Sequence, residues 1–205
     1  MKRSTFQLDI ALQSFSSGGM VILKDAIHRE NEGDLVIAAQ SVTPKAIQFM
    51  TQYGGGLICL PMKKSMTKKL DLKLMPRNHL KNHETPFYCA FTESIDAVSG
   101  ITTGISAFDR AKTISVVVDP NTKSNDLRKP GHIFPLQAHE GGLYARKGHT
   151  EASIHLCQLC NLIPAAVICE IINANGTMAR SNDLEKFSLV HKIPILDIAL
   201  LCHTL

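Results

Sequence analysis

Apolar and polar positions alternate between two periods along this chain. Residues 5–17 carry Leu8, Ala11, Leu12 and Phe15 at helical spacing, which predicts an opening helix that Gly18-Gly19 stops. Two short apolar runs follow, Met20-Val21-Ile22-Leu23 and Leu35-Val36-Ile37-Ala38-Ala39, read as buried strands. Thr43-Pro44 is a helix start, a capping hydroxyl before proline at the first helical position. Ala46, Ile47 and Met50 give that helix its apolar face, Gly54-Gly55-Gly56 ends it, and Leu57-Ile58-Cys59-Leu60 is a short strand. Residues 63–84 read as a short helix and a Lys-rich loop, with His79 and His83 at the surface.

Farther on, Phe87 to Thr92 reads as a strand, Thr102-Thr103-Gly104 as a turn and Ser106 to Lys112 as helix, while β-branched Ile114 to Val118 is ambiguous. Residues 120–131 read as a polar loop ending in Pro130-Gly131. A brief apolar segment after Gly141-Gly142 precedes a helix over 151–161 and a strongly apolar strand from Pro164 to Ile172. Asn175-Gly176 signals a hairpin, Asn182 with Glu185 a capped helix, and Ile193 to Ile198 a last strand. Strands and helices interleave, but with a hairpin and irregular stretches. The prediction is an α+β fold, a mixed sheet flanked by helices, as a single domain over residues 1–205.

Composition narrows the function classes. Of 205 residues, 44% are hydrophobic and 20% charged, enough for an ordinary core. The net charge of +4 is too weak and scattered for nucleic acid, and no Lys/Arg stripe alternates with aromatics. Gln7, Asp9 and Gln13 interrupt any secretory apolar stretch, and no run approaches membrane-spanning length, so the chain reads as cytoplasmic, with no membrane partner. Six cysteines then read as thiols. Cys157-Gln158-Leu159-Cys160 has zinc-site spacing but no second pair, and it falls on a helical apolar face, where core packing accounts for it.

Candidate chemistry concentrates in Arg29-Glu30-Asn31-Glu32-Gly33-Asp34. This charged loop between two apolar strands offers carboxylates to a hard cation or polyhydroxylated ligand, or is a solvated turn. Arg146-Lys147-Gly148-His149-Thr150 puts two cations, a glycine and a hydroxyl before a helix. That is either an anion site built on unpaired amides or an ordinary basic loop before a capped helix. A neutral His149 there, with Glu30 and with Glu32 through water, would suit Mg²⁺ or Mn²⁺. Glu170 is a lone carboxylate inside the apolar run Ala165 to Ile172, either a general base or acid or a strand-end glutamate facing solvent. His132 follows Pro130-Gly131 and either points into a cleft or stays in a loop.

Five blocks together carry a resemblance. They are Arg29-Glu30-Asn31-Glu32-Gly33-Asp34-Leu35; Thr102-Thr103-Gly104-Ile105-Ser106 with Asp109-Arg110; and Arg128-Lys129-Pro130-Gly131-His132-Ile133-Phe134-Pro135. The others are Gly148-His149-Thr150-Glu151-Ala152 and Cys169-Glu170 followed by Asn175-Gly176-Thr177-Met178-Ala179-Arg180. In this order and spacing, over most of residues 18–198, the chain resembles 3,4-dihydroxy-2-butanone 4-phosphate synthase, an enzyme of riboflavin biosynthesis.

The resemblance implies a homodimer with shared active sites that converts D-ribulose 5-phosphate to 3,4-dihydroxy-2-butanone 4-phosphate and formate. It implies Mg²⁺ or Mn²⁺, two ions per subunit. Carried over by position, Glu30 and His149 are metal ligands with Glu32 supporting. Arg29, Asp34, Arg146, Lys147, Gly148 and Thr150 bind the sugar phosphate, and Glu170 touches it. His132, Glu170 and Asp34 move protons, with His132 reaching the site from the partner subunit and Thr103 matching a threonine of the same composite site. The family often carries a GTP cyclohydrolase II domain as well, for which a chain ending near residue 205 leaves no room.

The chain departs from the family pattern in two places. Ala26, Ile27 and His28 stand where the family continues its carboxylates, with Asp25 retained, and Gln137-Ala138-His139-Glu140 is also unusual. Two alternatives follow: another metal-dependent sugar-phosphate isomerase or aldolase, or a catalytically degenerate paralogue serving as a regulatory or scaffolding protein.

Overall fold

A computed structural model describes residues 2–76 and 89–205, with side-chain surroundings from residue 6 onward. The expected surface histidines His79 and His83, and the first residues of the strand expected from Phe87, lie outside the described residues. The elements in order are α1 (Lys2–Ser16), β1 (Val21–Lys24), β2 (Gly33–Ala38), α2 (Pro44–Phe49) and β3 (Cys59–Met62), then α3 (Lys64–Lys69), β4 (Ile95–Ala97), α4 (Ala107–Val118) and β5 (Leu127–Gln137). There follow α5 (Gly142–Ala145), α6 (His149–Leu159), β6 (Ala166–Glu170), α7 (Ser181–His191), β7 (Ile195–Asp197) and α8 (Ile198–Leu201).

The seven strands form one mixed sheet in the order β4-β5-β3-β6-β2-β1-β7. Strands β1–β7 and β3–β5 pair in parallel, and the other neighbours are antiparallel. Side chains on a strand alternate between faces, and here both faces are covered. Leu35, Ile37, Val167 and Cys169 pack with Ile47 of α2, Ile114 of α4 and Leu184 of α7. Val36, Ala38, Ala166 and Ile168 pack with Phe15 of α1, Leu156 of α6 and Leu201 of α8. Burial on both sides is why the central strands read as unbroken apolar runs.

Local signals act as the sequence suggests at α2, where Thr43 accepts a hydrogen bond from the Ala46 N–H at 3.2 Å, and at the Asn175-Gly176 turn, where Gly176 has φ +84°. The ambiguous Ile114–Val118 stretch is helical, because Ile114 and Val117 bury against the sheet. The last long helix starts at Ser181 rather than after Asn182. Asp183, not Glu185, accepts the Arg180 N–H at 3.1 Å. Phe91 and Thr92 make only isolated bridges.

Pro130-Gly131 does not close a loop. Both residues lie inside β5, where the pairing with β4 jumps from Ile133 opposite Ile95 to Arg128 opposite Asp96, so residues 129–132 bulge. A bulge accepts proline, which has no ladder N–H to give. Gly131 is required there, since a Cβ would lie 2.0 Å from the Ile95 carbonyl carbon.

Cys157 lies on α6 and Cys160 caps its C-terminus, both as thiols. Cys157 is buried with its Sγ donating to the Ala165 carbonyl at 3.3 Å, and burial pushes its pKa up to about 12. No helix among the described residues is long and apolar enough to cross a membrane.

Candidate active site

The two candidate loops meet at one end of the sheet. The β1–β2 connection carries Arg29 to Glu32, Asp34 is the second residue of β2, and Glu170 ends the neighbouring β6. The first turn of α6 arrives over the same face. Together they enclose a pocket of about 170 Å³ whose lining includes Arg29, Glu30, Glu32, Asp34 and Glu170 with Arg146, His149 and Thr150. Lys147 is exposed and does not line it, and Gly148 is the N-cap of α6.

The charged loop is held from within by Asp25, which is 3% exposed. Its Oδ1 accepts the Glu32 N–H at 2.8 Å, and its Oδ2 accepts the Glu30 N–H at 3.1 Å and Arg29 Nη1 at 2.7 Å. Asn31 takes φ +54°, a left-handed geometry that asparagine tolerates better than most residues. From outside, Arg180 donates to the Glu30 and Asn31 carbonyls and pairs with Glu32 at 3.3 Å. Residues 26–28 form the outer part of this turn, with Ile27 80% exposed, so the departure from the family pattern falls on the tip. The sequence marks Asp25 only as a retained carboxylate and Arg180 only as part of a family block, with a role for neither. Their signals are an aspartate after a buried strand and an arginine just before a helix, both too common to single out.

Charges in the pocket are unevenly stabilised. Arg29 Nη1 also pairs with Glu30 at 2.7 Å. Arg146 pairs with the buried Glu151 at 2.5 Å, and the other Glu151 oxygen accepts the His139 N–H at 3.0 Å. Gly148 lets both guanidiniums close in, since a Cβ there would stand 2.4 Å from Arg146 Nη1 and 3.1 Å from Arg29 Nη2. Burial, then Arg180 in the opposite sense, leaves the Glu32 carboxyl above its ordinary range. Asp34 is raised much further, first by burial and then by Glu170, Glu30, Glu32 and Asp25. Glu170 is partly exposed and its Oε2 accepts the Leu57 N–H at 2.8 Å, so it is neither fully solvated nor isolated in the core.

His149 is 7% exposed, and burial lowers its pKa, which keeps the imidazole neutral near pH 7. Its Nε2 is buried without a hydrogen-bond partner among the described residues, and Nδ1 stands 3.8 Å from Glu30. Buried polar atoms are nearly always paired. Asp25, Glu30 and His149 can bring one ligand atom each within 4.8 Å of one another. Two carboxylates and a neutral imidazole with an orphaned nitrogen fit a divalent cation. Asp25 stands in this group where the sequence suggested Glu32.

His132 and Thr103 do not line this pocket. They cluster elsewhere with Asp96, whose Oδ2 lies 2.8 Å from His132 Nδ1, and Arg128, which donates to the Thr103 carbonyl at 3.4 Å.

Comparisons with known proteins identify the family. Residues 9–204 match the family model described as 3,4-dihydroxy-2-butanone 4-phosphate synthase. A protein of that name from Neisseria meningitidis serogroup B is 53% identical over 188 residues, covering 92% of this chain and 51% of its own length. Its namesake from Wigglesworthia glossinidia brevipalpis is 43% identical over 188 residues, covering 92% of this chain and 86% of its own. The chain spans about half the length of the first curated relatives it matches. Among solved structures, a two-domain 3,4-dihydroxy-2-butanone 4-phosphate synthase from A. baumannii superposes with a TM-score of 0.90 at 46% identity, covering 96% of this chain and 57% of that one. A synthase in complex with two magnesium ions gives a TM-score of 0.88 at 37% identity, covering 96% and 95%. The degenerate-paralogue alternative finds no support among these relatives.

Proposed function

This chain belongs to the 3,4-dihydroxy-2-butanone 4-phosphate synthase family, and from that premise we propose that it is a metal-dependent lyase of riboflavin biosynthesis. It converts D-ribulose 5-phosphate to 3,4-dihydroxy-2-butanone 4-phosphate and formate. The observation that carries this reading is a single pocket holding four acidic side chains of two strands and a loop against two arginines and a buried neutral histidine.

Glu30 and His149 hold Mg²⁺ or Mn²⁺, two ions per subunit, with Glu32 supporting and Asp25 keeping the loop in shape. The orphaned His149 Nε2 and the similarity to a synthase in complex with two magnesium ions support this assignment. When bound, the divalent cation supplies Lewis-acid stabilisation of oxyanion charge. Arg29 and Arg146 bind the substrate's anionic and hydroxyl oxygens, with Thr150 and Gly148 at the start of α6, where the first-turn amides and the helix dipole favour a phosphate, and with the exposed Lys147 just before it adding positive charge.

Asp34 and Glu170 exchange protons with the sugar. Burial, and then the neighbouring carboxylates, make Asp34 hold its proton more tightly than an ordinary carboxyl, and Glu170 stands beside it with one oxygen on the Leu57 N–H. His132 and Thr103 cluster outside the pocket of their own chain, which suits a homodimer in which they complete the site of the other subunit. Six free thiols suit the reducing cytoplasm, and one synthase unit accounts for residues 1–205.

The test is formate release from D-ribulose 5-phosphate by the purified chain, with Mg²⁺ and then with EDTA. Formate that depends on metal is expected. A folded protein that releases none under either condition would sink the reading, a five-carbon isomer in place of formate would favour an isomerase, and a two-carbon plus a three-carbon fragment would favour an aldolase.

A further inference from the structure

We propose that Asp96 is a positioning residue for His132, holding its imidazole in one orientation and one tautomer. The proposal rests on the reading above, in which His132 takes part in the reaction.

Asp96 lies on β4 and is 1% exposed. Its Oδ1 accepts the His132 backbone N–H at 2.9 Å, and its Oδ2 faces His132 Nδ1 at 2.8 Å. Arg128 Nη2 donates to the same Oδ2 at 3.2 Å. An ionised carboxylate has only acceptors to offer, so the ring atom facing it must carry a hydrogen. His132 is therefore the Nδ1–H tautomer when neutral, and Nε2 is the nitrogen left to exchange a proton. A buried carboxylate could be neutralised by Arg128 alone. The second contact, from the backbone of the same histidine, sets ring and main chain together as one rigid unit.

Two glycines, one next to His132 in the chain and one on the loop after β4, make this approach possible. Gly131 allows the β5 bulge to lie against the backbone of Ile95 and Asp96. Gly104, at φ +104°, passes beside the pair, and a Cβ there would stand 2.3 Å from Asp96 Oδ2 and 2.5 Å from His132 Nδ1. Any side chain at 104 would push carboxylate and ring apart.

The tautomer is directly measurable. Two-dimensional ¹⁵N–¹H spectra of histidine-labelled protein should show His132 as Nδ1–H in the wild type, and as Nε2–H or a mixture in Asp96→Asn. Steady-state assays should show kcat lowered about 10²-fold in Asp96→Asn, of the order expected when general acid–base chemistry is lost, with KM for D-ribulose 5-phosphate little changed. Asp96→Glu should recover part of the rate, and adding Asp96→Asn to His132→Ala should cost nothing further. An Nε2–H signal in the wild type overturns the proposal, and needs no variant to fold. So does an Asp96→Asn defect of equal size in the His132→Ala background. If His132→Ala alone keeps full turnover, the role read for His132 fails instead, and the tautomer result stands apart from it.

Discussion

Asp34 of β2 and Glu170 of β6 stand directly opposite one another in an antiparallel ladder, two carboxyl groups on adjacent strands at the floor of the pocket. Directly opposed residues share a sheet face with Cβ atoms about 4.5–5.5 Å apart, and like charges there are destabilising. Glu170 is relieved by the Leu57 N–H, whereas Asp34 is buried and takes the consequence as a proton held well above its ordinary value of 3.8.

That asymmetry predicts a pH dependence. Asp34 binds its proton more tightly in the folded chain than in the unfolded one. Its contribution therefore favours folding fully below its ordinary value, and is lost as pH rises toward the elevated one. In metal-free protein, Asp34→Asn should melt several degrees above the wild type near pH 8 and close to it near pH 4, about the shift that one or two kcal/mol gives a domain of this size. Formate release should fall by about 10²-fold or more. Thermal melts in EDTA across that range check it, and a Tm difference that is flat in pH would refute the origin given.

Gly148 predicts a different separation. An alanine Cβ there meets the ends of the Arg146 and Arg29 side chains, which can swing away, and the backbone φ of −110° suits alanine. The melting temperature of Gly148→Ala should barely move. KM for D-ribulose 5-phosphate should rise about tenfold, the loss of one charge-assisted hydrogen bond worth roughly 1.5 kcal/mol. Steady-state kinetics beside a melt would show it, and an unchanged KM would remove both arginines from substrate binding.

Asp109 gives the opposite pH sign. The Thr102 hydroxyl, the Thr102 and Gly104 N–H groups and Ser106 hold its carboxyl down to about 2. Stability from this group is present above its ordinary 3.8 and is lost as pH falls through the folded value of about 2. Asp109→Asn should flatten the dependence of Tm on pH between those two values. A variant curve parallel to the wild type would show that the Thr102–Gly104 loop does not depend on the charge.

Much of the site is legible in the amino-acid sequence, because its loops are written in consecutive residues. Arg29 to Asp34 announces itself by charge between apolar runs, and Arg146 to Thr150 by cations before a helix. Contacts between distant segments are not legible in this way. Arg180 is an ordinary arginine before a helix until the fold lays it against the Glu30 and Asn31 carbonyls. Glu151 is one acidic residue among many until it meets Arg146. Pro130-Gly131 carries a turn's chemistry, yet it enters a strand because β4 and β5 slip past each other at a bulge. Ile114 to Val118 has strand propensity, and packing on the sheet outweighs it.

By itself the sequence determined the periodic elements, the buried character of the central strands, and which six-residue loop concentrates carboxylates. These follow from the geometry of a few neighbouring residues, which chain connectivity imposes wherever the segment ends up. Only the tertiary structure decided that Asp34 faces Glu170, that the His149 Nε2 is left without a partner among the described residues, and that Asp96 grips His132 away from the pocket. Strand register and burial are settled by filling both faces of one sheet at once, and no local window contains that condition.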